Sequence, residues 1–123
     1  MTITHAAVTI DCADALAVAT FWSAALHRSI DPDGSGDFAS IGFADADETL
    51  PAWQFTKVPE GRSGKNRMHL DFSTSDRAGE VGRLVGLGAT RVDDITESGS
   101  TWTVLRDPEG NEFCVVQAAG EAS

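Results

Sequence analysis

Arg67-Met68-His69-Leu70-Asp71-Phe72 alternates strictly, with Met68, Leu70 and Phe72 on one side and Arg67, His69 and Asp71 on the other. A period of two predicts a strand with one oily face. The other face carries a cation, an imidazole and a carboxylate. Such a face either points to water, as in many half-buried sheets, or lines a pocket. It holds the one histidine found after residue 60, and the rest of the chain is read outward from it.

Before this strand, Pro59 to Asn66 is a loop that is basic for so acidic a chain, with Arg62 and Lys65. After it, Asp76 is a candidate N-cap. Ala78, Val81, Leu84 and Val85 mark one face of a helix that stops at Gly88, a natural left-handed end. Thr90 to Ile95, Thr101 to Arg106 and Glu112 to Gln117 read as strands. Asp107-Pro108-Glu109-Gly110 is a turn with Pro second and Gly last.

The first half runs the same way. Thr4 to Cys12 is a predicted strand, with Val8, Ile10 and Cys12 facing away from His5, Ala7, Thr9 and Asp11. Asp14 can accept hydrogen bonds from the free N–H groups of a first helical turn. Ala15 to Leu26 has no breaker and carries Phe21 and Trp22 as anchors. His27 follows where a glycine would end the helix more easily. Phe38 to Phe43 and Trp53 to Val58 are predicted strands, separated by an acidic loop around Asp45, Asp47 and Glu48.

The two caps, Asp14 and Asp76, stand 62 residues apart. The same offset superposes Ala7 on His69, Ala39 on Thr101, and Phe43 to Asp47 on Leu105 to Glu109. Caps, strands and turn agreeing in one register indicate an internal duplication. The expected fold is α+β: two βαβββ modules, about 1–60 and 61–123, forming a cupped, incompletely closed mixed sheet with the helices outside, all within one domain. Its concave face would hold His5, Ala7 and Thr9 from the first strand, Arg67, His69 and Asp71 from the central one, and Glu112 and Cys114 from the last, with Trp102 nearby. Concavities of this kind are where ligands bind.

Composition narrows the function. A net charge of −10 is the wrong sign for a phosphate backbone or an anionic lipid surface. No run reaches the roughly 20 apolar residues needed to span a bilayer, and no signal-peptide pattern opens the chain. Cys12 and Cys114 are too few for a disulfide framework. A cytoplasmic protein is expected, with neither nucleic acid nor membrane as partner.

The motifs Asp14…Phe21-Trp22, Gly64 to Asp71 and Asp107-Pro108-Glu109-Gly110-Asn111-Glu112-Phe113-Cys114-Val115-Val116 together resemble the vicinal oxygen chelate superfamily. This is the group of glyoxalases, bleomycin-resistance proteins and extradiol dioxygenases; the chain is most similar to the small bacterial glyoxalase-like domain proteins, over nearly its whole length. The resemblance implies the duplicated βαβββ fold and a homodimer. It also implies that metal-using relatives place ligands at the positions of Ala7, His69 and Cys114. Ala7 offers no donor atom, and a His/Cys pair lacking a third protein ligand is an incomplete site. His5 and Glu112 share those faces, but each lies two residues away, roughly 6.5–7 Å along a strand. No metal and no cofactor are therefore expected, unless His5, His69 or Glu112 builds a non-standard site.

His69 is the leading site residue, as general acid or base near neutral pH or as a hydrogen-bond donor; the alternative is a structural imidazole. Glu112 is the second candidate base, or else a solvated rim carboxylate. Arg67 suits a carboxylate or phosphate, or only the loop's solubility. Asp71 shares the ligand-binding face, though side chains two apart on a regular strand meet poorly. Trp53 and Trp102 are candidate flat walls for an aromatic ligand. Cys114 as a nucleophile would be hindered by Glu112 and Asp71, which raise its pKa, so it reads as a small pocket-wall residue. The first expected function is a small-molecule-binding protein of sequestering or resistance type. The second is a metal-independent lyase, isomerase or cyclase using His69 on a small aromatic or anionic compound. The third is a metal-dependent glyoxalase-like lyase.

Overall fold

The computed structural model describes residues 3, 5–44, 50–61, 64, 66 and 68–118. The expectations placed on Thr4, on the acidic loop from Asp45 to Glu48, and on Arg62, Lys65 and Arg67 lie outside the described residues. The protein is α+β, and its described residues form two open mixed sheets and two helices. It divides into two compact units, Met1–Gly61 and Arg62–Ser123.

The first unit contains β1 (Ala7–Cys12), α1 (Ala15–Leu26), β2 (Phe38–Ile41) and β3 (Ala52–Lys57), with sheet order β1-β3-β2. β1 runs parallel to β3, and β2 antiparallel to it. Asp14 caps α1, accepting from the Ala17 N–H at 3.2 Å. His27 ends it in the left-handed conformation, φ 55°. Only two strands, rather than three, follow this helix among the described residues. A single bridge from Ile30 to Ile41 marks where the third would lie, since Ile30 shifted by 62 falls within Thr90–Glu97.

The second unit contains β4 (Leu70–Thr74), α2 (Arg77–Leu87), β5 (Thr90–Glu97), β6 (Ser100–Arg106) and β7 (Glu112–Gln117), in sheet order β4-β7-β6-β5. β4 is parallel to β7, and the other neighbours are antiparallel. Asp76 repeats the cap, accepting from Gly79 N–H at 3.0 Å. Gly88, at φ 124°, stops α2. β5 and β6 form a hairpin closed by Ser98 and Gly99, both at positive φ. Two consecutive left-handed residues are what a two-residue hairpin turn of matched twist requires.

The central strand begins later than its alternation predicts. Met68 precedes Leu70 and is 86% exposed, so it forms no part of an apolar face. The apolar face is Leu70 and Phe72, which pair with Phe113 and Val115 on β7; Phe72 and Phe113 meet edge to face at 6.0 Å. Helix α2 covers this side. Its Arg77 amide donates to Gln117 Oε1 at 3.0 Å, and its guanidinium donates to the fully buried Thr103 at 2.6 Å. Thr103 donates onward to Asp94 Oδ1 at 2.6 Å, and Arg77 and Arg91 also contact that carboxylate. These contacts hold the Asp94 carboxyl below its usual range, the Thr103 hydrogen bond foremost.

Three strands correspond between the units, β1 with β4, β2 with β6 and β3 with β7, with one displacement in register. In the first unit Val8 pairs with Trp53. Adding 62 to each predicts Leu70 opposite Val115, yet Leu70 pairs with Phe113. The antiparallel pair keeps the offset: Ser40 with Gln54 becomes Trp102 with Val116.

Candidate functional site

On the side of the second sheet away from α2, paired positions alternate into one surface. Trp102 lies opposite Val116, Val104 opposite Cys114, and Arg106 opposite Glu112; Asp71 lies opposite Cys114 on the other flank. At the Trp102–Val116 end the surface is mainly apolar, with Ile95 opposite Trp102 and the exposed Ser73 at its edge opposite Val116. At the other end it carries His69, Asp71, Cys114, Glu112 and Arg106. A sheet face graded in this way offers apolar contact to one part of a ligand and hydrogen bonds or charge to another.

At the polar end, His69 Nε2 lies 3.2 Å from Asp71 Oδ1. This contact overturns the expectation that the two meet poorly. His69 precedes the first paired residue, Leu70, so the 6.5–7 Å spacing of a regular strand does not constrain it. Across the parallel pair, Asp71 hydrogen-bonds the Cys114 thiol. Cys114 is buried, and its pKa is pushed up to about 11 by burial, then by the charge and hydrogen bond of Asp71 and the charge of Glu112. The thiol is thus held protonated near neutral pH and is a poor nucleophile by itself.

Glu112 Oε2 lies 3.3 Å from Arg106 Nη2. Arg106 is the cation that the sequence reading overlooked in favour of Arg67. The signal was available: Arg106 and Glu112 flank the turn from Asp107 to Asn111, and residues flanking a hairpin turn stand opposite one another. Asp107 is buried and builds that turn. It accepts from the Glu109 and Asn111 amides at 2.9 and 3.0 Å, and its own N–H donates to Asn111 O at 2.9 Å.

The two tryptophans separate. Trp102 sits half-buried on the graded face. Trp53 is 5% exposed and packs against Trp22 at 4.9 Å and Phe55 at 6.3 Å. It belongs to the core beneath α1 rather than to a ligand surface, because it shares a strand face with Phe55. His5 is exposed, ahead of β1 in the first unit.

The ligand positions implied by metal-using relatives are not all met, since Ala7 presents a methyl group. A different donor set exists: ligand atoms of His69, Asp71 and Cys114 all lie within 4.8 Å of one another. The sequence reading counted only the first and last of these.

The sequence profile of the glyoxalase-like domain matches residues 7–116. Among solved structures, the chain is similar to a glyoxalase/bleomycin resistance protein/dioxygenase family enzyme from Burkholderia phytofirmans PsJN, at 21% identity and TM-score 0.75, covering 93% of this chain and 98% of that one. A glyoxalase-related enzyme from Fulvimarina pelagi aligns at 14% identity and TM-score 0.70, covering 94% and 88%. A bleomycin-binding protein from Streptomyces verticillus, complexed with copper(II)-bleomycin, aligns at 16% identity and TM-score 0.63, covering 96% and 98%. No curated protein sequence matches the chain. Its fold is that of the vicinal oxygen chelate superfamily, and by its sequence the chain belongs to the glyoxalase-like domain family.

Proposed function

We propose that this protein binds and sequesters a small organic molecule on the graded face of its second unit. The carrying observation is the register that sets Trp102, Val104 and Val116 beside Cys114, Glu112 and Arg106 on one surface. Trp102 supplies a flat apolar wall, and Arg106, His69 and Asp71 supply polar selection. The low nucleophilicity of Cys114 fits a wall residue better than a covalent one. A similar fold that holds a bulky ligand, the copper(II)-bleomycin complex, favours the same reading. We place the protein in the cytoplasm as a homodimer, with neither nucleic acid nor membrane as partner. Among the described residues no helix is long and apolar enough to cross a membrane.

Native mass spectrometry of protein purified without chelator tests this reading, followed by titration with bleomycin under tryptophan fluorescence. A co-purifying organic mass, or saturable quenching that Trp102→Ala removes, supports it. A bare protein that also fails to saturate with bleomycin, yet turns over small aromatic or anionic compounds, sinks it.

One contact favours a second reading, an acid–base enzyme. If Asp71 accepts from the His69 Nε2–H, the neutral ring keeps Nδ1 as its basic nitrogen. His69→Ala would then lower turnover by roughly 10²–10⁴-fold.

A further inference from the structure

We infer that the graded face selects a hydrophobic organic monocation, of the ammonium or phosphonium type, seated over Trp102 with its charge toward Asp93 and Glu97 on the edge strand β5. The inference rests on the proposed binding function and names the ligand class which that reading leaves open. It rejects the anionic compounds that the sequence allowed.

Register is the first argument. In the β5–β6 hairpin Ile95 stands opposite Trp102, Asp93 opposite Val104 and Glu97 opposite Ser100. Side chains two apart on a strand share a face, so Asp93, Ile95 and Glu97 join Trp102 and Val104 on the graded face. Asp93 and Glu97 flank Ile95, which sets each of them diagonal to Trp102, roughly 7–8 Å away. Ile95, Trp102 and Val104, with Val116 on β7, form an uncharged strip. A carboxylate stands on either side of that strip at its β5 edge. The strip residues are half-buried, whereas Asp93 and Glu97 are exposed. A cation within about 6 Å of the indole ring is attracted to its face, and from there both carboxylates are within reach.

Charge is the second. β5 carries carboxylates on both faces, and their surroundings differ. Asp94, on the α2 side, is matched by Arg77, Arg91 and the Thr103 hydroxyl. Asp93 and Glu97 form no ion pair among the described residues. One Asp93 oxygen accepts the Asp94 amide at 2.9 Å, which leaves the other open. Elsewhere on the face Arg106 is paired with Glu112, and Asp71 is engaged by His69 and Cys114. The face thus sets the carboxylates of Asp71, Asp93, Glu97 and Glu112 against the single guanidinium of Arg106, with the His69 imidazole and the Cys114 thiol beside them. The whole chain adds a net charge of −10. Such a field repels an organic anion and draws in a cation. Contact with the apolar strip holds the body of the ligand, and the unpaired carboxylates decide the sign of its charge.

Isothermal calorimetry of the full chain with tetraphenylphosphonium, triphenylphosphine oxide and tetraphenylborate tests this assignment. The probes are a cation, a neutral molecule and an anion of similar bulk. The phosphonium should bind roughly tenfold or more tightly than the oxide, from its attraction to the indole and the carboxylates together, and the borate should not saturate. Added salt should weaken phosphonium binding and leave the oxide unchanged. Asp93→Asn and Glu97→Gln, both at exposed positions, should each weaken the phosphonium roughly two- to fivefold. Trp102→Ala should remove most of the binding. Asp37→Asn, which neutralises an exposed carboxylate of the first unit, should change nothing. Equal or tighter binding of the oxide or the borate, lost in Trp102→Ala, would overturn the cation assignment and leave the sequestering reading intact. Phosphonium binding that survives Trp102→Ala, or that Asp37→Asn weakens as much as Asp93→Asn does, would also overturn it, as attraction to net charge alone. Failure of the phosphonium to saturate by millimolar concentration would overturn it as well, while a co-purifying organic mass would still decide the sequestering reading.

Discussion

Asp71 hydrogen-bonds Cys114 across the parallel β4–β7 pair, and its negative charge works against ionisation of the thiol it touches. With the thiol's pKa near 11, iodoacetamide should label Cys114 slowly at mildly alkaline pH. Asp71→Asn removes the charge while keeping the side-chain shape, so the pKa falls, the thiolate fraction rises and labelling accelerates. Burial still operates in that variant and keeps the rate below that of a free cysteine. Peptide mapping of the labelled site reads this directly.

The same shift fixes a pH trend in stability. In the unfolded chain the thiol ionises near its ordinary value, about 8.5. In the folded protein it stays protonated up to about 11. The unfolded state therefore gains from proton loss first, and stability declines as pH rises between those two values. Urea midpoints measured across that range should fall in the native protein and fall less in Cys114→Ala.

Trp53 and Trp102 should respond oppositely to truncation. Trp53→Ala opens a cavity beside Trp22 and Phe55, at a cost of about 3–5 kcal/mol. Trp102→Ala lies on the graded face and should cost less stability while removing ligand affinity. Thermal melts paired with binding titrations distinguish the two.

The helix ends give a stabilising and a destabilising change. His27, at φ 55° and ψ 43°, holds a left-handed conformation that a side chain with a Cβ adopts at some cost. His27→Gly should stabilise the protein by roughly 0.5–1 kcal/mol. Asp14→Ala and Asp76→Ala should each destabilise by about 1 kcal/mol by leaving the Ala17 and Gly79 amides without their caps. Chemical denaturation of the three variants reports both signs.

Local chemistry made much of the fold legible in the sequence. Asp14 and Asp76 announce their helices because a carboxylate before an apolar run has free N–H groups to bind. Leu26 and Leu87 end their helices where His27 and Gly88 follow. Pairing is harder to read. Alternation continues back through Met68, but the strand starts only at Leu70, where β7 supplies partners from Phe113 onward. Ser98-Gly99, between two threonine-rich strands, was a hairpin signal within reach.

The candidate site divides along the same line. His69, Asp71, Glu112, Cys114 and Trp102 were nameable from residue type. That Asp71 reaches both His69 and Cys114 depends on a strand boundary and a cross-strand register, neither of which is local. Trp53 required comparing faces: it alternates in phase with Phe55, whereas Trp102 alternates in phase with Val104 and Arg106. Arg106 went unnoticed because its partner lies beyond a turn.

The displacement in the parallel strand pair gives Cys114 two different counterparts in the first unit. Counting 62 residues back along the chain reaches Ala52. Crossing from the first strand of each unit instead matches Thr9 with Gln54 to Asp71 with Cys114, and so reaches Gln54. A two-residue slide is the smallest that leaves each side chain on its own face of the sheet. It lets one half of a duplicated chain acquire a new neighbour for a polar group without turning its core outward. Roles copied from one half to the other by chain position alone would therefore land one side chain away from where the sheet puts them.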